Sequence, residues 1–443
     1  MADRTDVATT GRPGSGARQS VLVPTGQKMK SYGCMRSLHR RGVHTIVASE
    51  YDRIPHSASR FCDERVHLPA TPDDVVAYKD ALLRVAGRPD VETVVPVREC
   101  DTYVLAKYRE EFEENVSLVI PSLDVLRRGH DRLRLAEAAA EAGVPVAETR
   151  LLSDVDRWDF DAVVKSRYNV LTAEYVDSFP EGNLEEIKDV RFLPAGDRPD
   201  VDTVVDEMGH EPVVQPFVPQ ADKILYCALW DHGEPLATYQ HRQIRQNSWV
   251  GGGGVYRESA HSEAVEEVAH DLLSHLDWHG FACIEYLKDE TTGEWKFLEI
   301  NPRVWQSLPE AVRAGADFPY YYWLRTQGRA DEIEVDYDLG VATHIAYGEV
   351  GHLSSLFRDE SPFVERPSVA RTAWDVARSV ATNPRFDYLR LDDPGLVVSA
   401  VGQALSNGVT PSRSYSSGGD RRSATATADG GEPATTDGGE PEE

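Results

Sequence analysis

The sequence is poor in cysteine, and its cysteines are badly spaced for metal or redox chemistry. Five cysteines occur in 443 residues, and no two of them form a CxxC pair. Zinc sites and thioredoxin-like motifs need such spacing, so both kinds of site are disfavoured. Several of these cysteines stand within apolar runs, which predicts small core residues. They are Cys34, Cys62, Cys100, Cys227 and Cys283.

Long apolar runs are also missing. No run approaches the ~18 apolar residues that a membrane-spanning helix needs, so no span is predicted. Residues 1–20 lack the apolar stretch that a secretory signal requires. We therefore expect a cytoplasmic protein.

Lysine is scarce, and the charge is strongly acidic. The chain has nine lysines among 47 basic residues, against 74 acidic residues, and its net charge is -27. Nucleic-acid binding and docking on anionic membranes both need basic surfaces, so neither partner is expected. An acidic chain that prefers arginine to lysine is similar to proteins of salt-loving microbes, and we expect a halophilic archaeal source. The alternative is an ordinary acidic soluble protein.

Alternation of strands and helices predicts an α/β domain over residues 20–125. Thr25-Gly26 follows the first strand and resembles a Rossmann-like start, but the GxGxxG signature of dinucleotide binding is absent. Residues 1–18 have no periodicity and are expected to be disordered. Strands are predicted at 21–23, 44–48, 93–97 and 116–120, and helices at 31–41, 73–86 and 101–113.

The remaining chain predicts an α+β region over residues 126–330. Residues 331–410 are predicted as a mixed, largely helical extension, and residues 411–443 as a disordered acidic tail. Predicted strands occupy 162–166, 213–218, 224–230, 235–241, 281–287 and 296–300. Predicted helices occupy 131–142, 184–190, 263–276 and 308–313.

Two strands of this region form a predicted hairpin that carries two facing acids. Residues 291–293, Thr-Thr-Gly, suit a three-residue turn. A register centred on that turn places Glu285 opposite Glu299, with Asn301 on the same face, although a bulge could shift it by one residue. Two facing carboxylates repel each other, and a divalent cation such as Mg²⁺ would remove that cost. The alternative is a pair of surface acids.

The string Glu299-Ile300-Asn301-Pro302-Arg303 resembles the E-x-N-P-R signature of ATP-grasp ligases, and the resemblance extends over roughly residues 20–330. It implies a Rossmann-like pre-ATP-grasp domain followed by a two-lobed ATP-grasp fold. It further implies ATP as a bound nucleotide and Mg²⁺, with Mn²⁺ as an alternative, held by Glu285, Glu299 and Asn301.

The same resemblance implies an ATP-binding set between residues 132 and 222. Arg132 and Lys165 would contact the phosphates, and the hinge strand at 213–218 would receive adenine. Asp222 would accept hydrogen bonds from the ribose hydroxyls. These residues are Arg132, Lys165, Gln215, Pro216, Phe217, Val218 and Asp222.

Arginines and a glycine-rich segment complete the predicted site. The resemblance favours Arg242, with Arg303 as the second candidate, as the catalytic guanidinium that stabilises the transferring phosphoryl group. Alternation along the strand allows only one of Arg242 and Arg245 to enter the site, unless the strand ends between them. The four glycines of segment 250–255 resemble the mobile substrate loop of these ligases, with a plain flexible linker as the alternative.

These features predict a ligase that activates a small carboxylate as an acyl-phosphate for attack by an amine. One alternative is a bicarbonate-using carboxylase or carbamoyl-phosphate-type enzyme, although no biotin-attachment motif or glutaminase segment is present. Another alternative is a non-catalytic nucleotide-binding protein. A homodimer is the expected assembly if the chain is not monomeric. The sequence leaves the substrates and the role of residues 331–410 open.

Overall fold

The computed structural model describes residues 18–26, 29–71 and 74–406. The disorder predicted for residues 1–17 and 411–443 lies outside this part of the chain. Arg18, at the end of the first predicted disordered segment, is described and forms an ion pair with Asp90 at 2.6 Å. Within the described residues, no helix is both long and apolar enough to cross a membrane.

The N-terminal part contains a parallel four-stranded sheet with the order β3-β2-β1-β4. Its central strands are almost fully buried apolar runs with helices packed against them, as expected of a parallel sheet. The elements are β1 Ser20–Pro24, α1 Ser31–Arg40, β2 His44–Ser49, β3 Glu64–His67, α2 Val75–Ala86, β4 Val91–Val94, α3 Glu99–Lys107, α4 Arg109–Glu113 and α5 Leu123–His130.

A smaller antiparallel sheet follows, with the order β5-β10-β6-β9. A two-stranded sheet of β7 and β8 accompanies it. The elements are α6 Arg132–Glu141, β5 Arg150–Leu151, β6 Ala162–Lys165, β7 Val170–Leu171, β8 Glu185–Glu186, β9 Val190–Leu193, α7 Val201–Met208 and β10 Val213–Pro216.

The largest sheet has six strands in the order β15-β14-β11-β12-β13-β16. Both of its faces are covered by the core, which includes the fully buried Trp230, Trp278 and Trp305. The elements are β11 Gln220–Asp231, β12 Glu234–Gln246, β13 Gly254–Ala260, α8 Glu263–His275, β14 Gly280–Asp289, β15 Trp295–Asn301, α9 Leu308–Ala314, α10 Phe318–Thr326, β16 Ala342–His344, α11 Ala346–Arg358, α12 Val369–Thr382 and α13 Pro394–Ser406.

Some local predictions are confirmed, and two are wrong. Cys34, Cys100, Cys227 and Cys283 are buried, as predicted for core residues. The helix predicted at 184–190 is replaced by β8 and the start of β9, because β9 pairs with β6 and this long-range ladder outweighs local propensity. The strand predicted at 116–120 is reduced to one bridge between Thr93 and Ser117. The extension joins the core, since its strand β16 pairs with β13 at the edge of the large sheet.

Gly280 joins the large sheet to the N-terminal part. Its φ is +100°, and a Cβ at this position would lie 2.4 Å from the carbonyl oxygen of Val119. A side chain would therefore require both a left-handed backbone and a shift of the opposing main chain. The contact explains how β14, which carries Glu285, is fixed against the N-terminal part.

We expect Gly280→Ala to lower Tm by several degrees more than Gly42→Ala does. Gly42 also has a positive φ, +78°, but no atom lies within 4 Å of the place that a Cβ would occupy there. The loss of Tm in Gly42→Ala therefore measures backbone strain alone, about 1–2 kcal/mol. The additional loss in Gly280→Ala measures the clash of the new Cβ with the carbonyl oxygen of Val119. Equal Tm values for the two variants in thermal unfolding would show that the contact with Val119 is not a constraint.

Candidate active site

A cleft of about 790 Å³ lies between the small antiparallel sheet and the large sheet. Its walls come from β6, β9 and β10 on one side and from β11, β12, β14 and β15 on the other. Ten of the twelve residues that the sequence predicted for the site line this cleft. They are Arg132, Lys165, Gln215, Pro216, Phe217, Val218, Glu285, Glu299, Asn301 and Arg303.

The acid pair stands on the β14–β15 hairpin, as predicted. Glu285 pairs with Glu299 across the strands, and Asn301 pairs with Cys283. Gly293 takes the left-handed conformation in the turn, with φ +75°. A bulge follows Glu285 on the turn side, and it brings the two acids opposite each other. Asn301 donates to Glu299 Oε1 at 3.1 Å, so the three oxygen-bearing side chains share one face.

Each of the two facing carboxylates has a cationic partner. Lys223 Nζ lies 2.6 Å from Glu285, and Lys188 Nζ lies 3.0 Å from Glu299. Arg132 also donates to Glu299, at 3.2 Å. Burial opposes ionisation of Glu299, but Lys188 and Arg132 hold its pKa well below the usual range. The donor set of two carboxylates and an amide oxygen fits Mg²⁺, which prefers such hard ligands.

Lys165 enters the cleft from the opposite lobe. Its ammonium donates to Gln215 Oε1 at 2.8 Å, and the amide of Gln215 donates to Thr149 at 2.8 Å. Burial, assisted by the nearby Arg132, lowers the pKa of Lys165 to about 8. This lysine is therefore oriented by a neutral amide rather than by an acid, and its charge is available to an anion in the cleft.

Arg303 is positioned by the N-terminal part of the chain. Its Nε lies 2.9 Å from Glu99 on α3, and its Nη2 donates to Asn301 Oδ1 at 2.7 Å. Burial opposes ionisation of Glu99, but Arg303 lowers the pKa of this carboxyl to about 2. A charged, buried pair thus fixes the guanidinium beside Asn301.

Arg242 and Asp222 are the two predicted residues that do not line the cleft. They form an ion pair with each other at 2.9 Å, and the Arg242 side chain is half exposed. Residues 241 and 243 of β12 line the cleft, so alternation along the strand turns Arg242 to the other face. Arg245 instead pairs with Glu349 of α11 at 2.8 Å. Neither Arg242 nor Arg245 lines the cleft, so the prediction that one of them, preferably Arg242, enters the site is wrong.

Several cleft residues were missed by sequence reasoning. Arg257 on β13 is buried, donates to the carbonyl oxygen of Gly254 at 3.1 Å and forms an ion pair with Asp387. His241 Nε2 lies 2.7 Å from Ser307 Oγ. Burial and, to a smaller extent, the positive charge of Arg257 lower the pKa of His241 to about 3, so the ring is neutral. Only the pairing of strands distant in sequence brings these side chains, together with Lys188 and Lys223, to the cleft.

The glycine-rich segment lines the cleft beside these residues and is anchored by the extension. Ser248 donates to Asp359 at 2.5 Å, and the indole of Trp249 donates to the carbonyl oxygen of Ser355 at 3.0 Å. Glycines 251–254 follow, and two of them, Gly251 and Gly252, have positive φ. The segment is thus an anchored loop whose glycines bring main chain to the cleft.

Comparison with known proteins identifies the fold. No protein-family model matches the sequence, and the search of curated proteins finds no match. Among solved structures, N5-carboxyaminoimidazole synthetase from Staphylococcus aureus is similar, with 14% identity and a TM-score of 0.56 over 83% of this chain and 98% of that chain.

Two further structures share the fold. The biotin carboxylase domain dimer of Hydrogenobacter thermophilus 2-oxoglutarate carboxylase, in complex with MgADP, ADP and bicarbonate, has 15% identity and a TM-score of 0.52 over 73% of this chain and 72% of that chain. L-amino acid ligase from Bacillus licheniformis has 13% identity and a TM-score of 0.52 over 73% and 78%. All three are ATP-grasp enzymes, and the protein therefore has a mixed α/β structure with an ATP-grasp fold.

Glu310, a buried acid behind the cleft residue His241, gives the stability of the fold a measurable pH dependence. The residue is fully buried on α9, and one of its carboxylate oxygens lies 3.9 Å from His241 Nδ1. Burial raises the pKa of Glu310 to about 8, with Arg257 opposing and Asp387 adding to the shift. The folded state therefore retains a proton that the unfolded chain loses near pH 4.5, and stability falls as pH rises between these two values.

We expect Glu310→Gln to raise Tm by several degrees at pH 9 and to change it little at pH 5. The glutamine replaces the protonated acid and removes the cost of ionising it in the core. Glu263→Gln, at an exposed position of α8, is the matched control. A Tm difference that is the same at both pH values would contradict a buried, protonated Glu310.

Proposed function

We propose that the protein is an ATP-dependent ligase that activates a small carboxylate for attack by an amine. The observation that carries this proposal is the composition of the cleft. Two carboxylates and an amide that suit Mg²⁺ stand within one cleft with Lys165, Lys188, Lys223 and Arg132. Simple nucleotide binding does not require so complete a set of anion-binding and cation-binding groups.

The proposal assigns a role to each residue of the cleft, and the positions of these residues support the assignment. Glu285, Glu299 and Asn301 would hold Mg²⁺, which when bound would neutralise charge on the phosphates of the nucleotide. Lys165 and Arg132 contact the phosphates, and the backbone of the hinge at 215–218 receives the adenine edge. Arg303 contacts the transferring phosphoryl group, a role in which a fixed guanidinium stabilises developing charge.

Two bond exchanges make up the reaction. A carboxylate oxygen of the substrate attacks the γ-phosphorus, the bond to the bridging oxygen breaks, and ADP leaves. The amine nitrogen then attacks the acyl carbon, phosphate leaves with the bonding electrons, and the nitrogen loses a proton. The cleft contributes orientation of the partners and exclusion of water that would hydrolyse the acyl-phosphate.

The finer domain assignment belongs to the same proposal. We assign the parallel sheet of residues 20–125 as the Rossmann-like pre-ATP-grasp domain and residues 126–330 as the ATP-grasp domain. Glu99 of the first domain contacts Arg303 of the second, which supports a single working unit. Small molecules are the proposed partners, a homodimer is the proposed assembly, and the cytoplasm is the proposed location.

Bicarbonate as the activated carboxylate is the second candidate. It is favoured by the similarity to a biotin carboxylase domain whose structure contains MgADP and bicarbonate. The two candidates differ in the carboxylate that stimulates ADP formation. A bicarbonate-using enzyme would release ADP with bicarbonate alone, whereas the main proposal requires an organic carboxylate.

The test is ADP release from MgATP with pools of amino acids, small carboxylates or bicarbonate, in low and high salt. We expect substrate-stimulated release from the wild type and a loss of at least about 100-fold for Glu299→Gln, because the variant removes a metal ligand and an anchor of Lys188. Glu285→Gln should behave in the same way.

Glu294→Gln is the matched control for this assay, since Glu294 is exposed at the turn of the same hairpin and outside the cleft. It should retain the wild-type rate. Undiminished release by Glu299→Gln would exclude the proposed metal site. Tight MgATP binding without release from any pool would favour a non-catalytic nucleotide-binding protein.

A further inference from the structure

A segment of the C-terminal extension reaches the end of the cleft that is lined by hinge residues 215–218. Residues 359–368 connect α11 to α12 and lie beyond the region that resembles ATP-grasp ligases. Ser361, Phe363, Val364 and Glu365 of this segment line the cleft together with the hinge. The extension therefore contributes to the cleft as well as to the edge of the large sheet.

Phe363 is the residue of this segment with the most specific contacts. Its ring centroid lies 4.4 Å from that of Phe217 in the hinge, with the planes tilted by 34°. It also meets Phe192 of β9 edge to face, at 5.8 Å and 82°. Phe192 and Phe217 themselves stand edge to face at 6.2 Å. Three half-buried rings, from the small sheet, the hinge and the extension, thus meet at one end of the cleft.

Independent contacts fix this segment beside the cleft. Asp359 accepts a hydrogen bond from Ser248, and the guanidinium of Arg366 lies 5.9 Å from the ring of Trp249. The two ends of the segment are therefore tied to the glycine-rich loop, and Phe363 lies between these ties. A ring held in this way loses little conformational freedom when a ligand packs against it.

We propose that Phe363 is a specificity residue of the nucleotide subsite and packs its ring against the purine base. Aromatic faces bind flat heterocycles by stacking, and the adjoining hinge offers backbone groups to a base edge. Phosphates would bind elsewhere in the same cleft, at the cationic side chains of Lys165, Lys188, Lys223 and Arg132. This inference rests on the proposed binding of ATP and assigns part of the base recognition to the extension.

The test compares two probes on the full-length protein by calorimetry, MgADP and magnesium tripolyphosphate. Tripolyphosphate carries phosphates but no base. We expect Phe363→Ala to weaken MgADP binding about tenfold, in the range of aromatic–base stacking, and to leave tripolyphosphate binding unchanged. Phe363→Tyr should restore MgADP binding, because it keeps the ring.

Phe357→Ala is the control, since Phe357 lies in the same extension, is 73% exposed and does not line the cleft. It should bind both probes as the wild type does. Unchanged or tighter MgADP binding by Phe363→Ala would overturn the inference, as would an equal loss for both probes. Failure of the wild type to bind MgADP would instead overturn the proposed function itself.

Discussion

Charge balance around two facing acids is the constraint on which the cleft depends. The β14–β15 hairpin fixes Glu285 opposite Glu299, and like charges in that position destabilise a sheet. Lys223 neutralises the first acid, while Lys188 and Arg132 neutralise the second. A magnesium nucleotide would offer both signs of charge at once. The acids could then turn to the cation and the basic side chains to the phosphates without leaving a buried charge unpaired.

Three parts of the chain supply this balance. The N-terminal sheet provides Glu99, which fixes Arg303, and the close contact at Gly280 fixes β14 against the same part. The small sheet provides Lys165 and the hinge. The extension provides Asp387, which pairs with Arg257, and anchors the glycine-rich loop. The cleft therefore depends on contacts from the N-terminal part, the small sheet and the extension, which itself joins the large sheet through β16.

Local sequence was sufficient for some of these features. The facing of Glu285 and Glu299 was predicted from the turn, but the turn alone does not set it. The pairs beside the turn, such as Tyr286 with Phe297, follow a register one residue away, and the bulge after Glu285 restores the predicted pairing of the two acids. The E-x-N-P-R string and the order of weaker matches predicted the ATP-grasp fold. Alternation along β12 predicted that one of Arg242 and Arg245 enters the site, but neither lines the cleft, because Arg242 pairs with Asp222 and Arg245 with Glu349. These partners are distant in sequence and could not be predicted from the strand alone.

The remaining features depend on contacts between distant parts of the chain. Lys188 lies in the connection between β8 and β9, in a segment that was predicted as a helix, and the pairing of these strands with β7 and β6 places it. Arg257 carries no motif, and its partner Asp387 is 130 residues away. Phe363 lies in an extension with no recognisable pattern. Burial and partner choice at these positions follow from tertiary structure and not from local propensity.

The most direct measurement is a crystal structure of the protein with Mg²⁺ and a non-hydrolysable ATP analogue. The expected result is a nucleotide between the two lobes, with the metal bound by oxygens of Glu285, Glu299 and Asn301. Lys188 and Lys223 should then contact phosphate oxygens instead of the two acids. A nucleotide bound elsewhere, or bound in the cleft with both lysine–glutamate pairs intact and no metal on the acids, would contradict the proposed site.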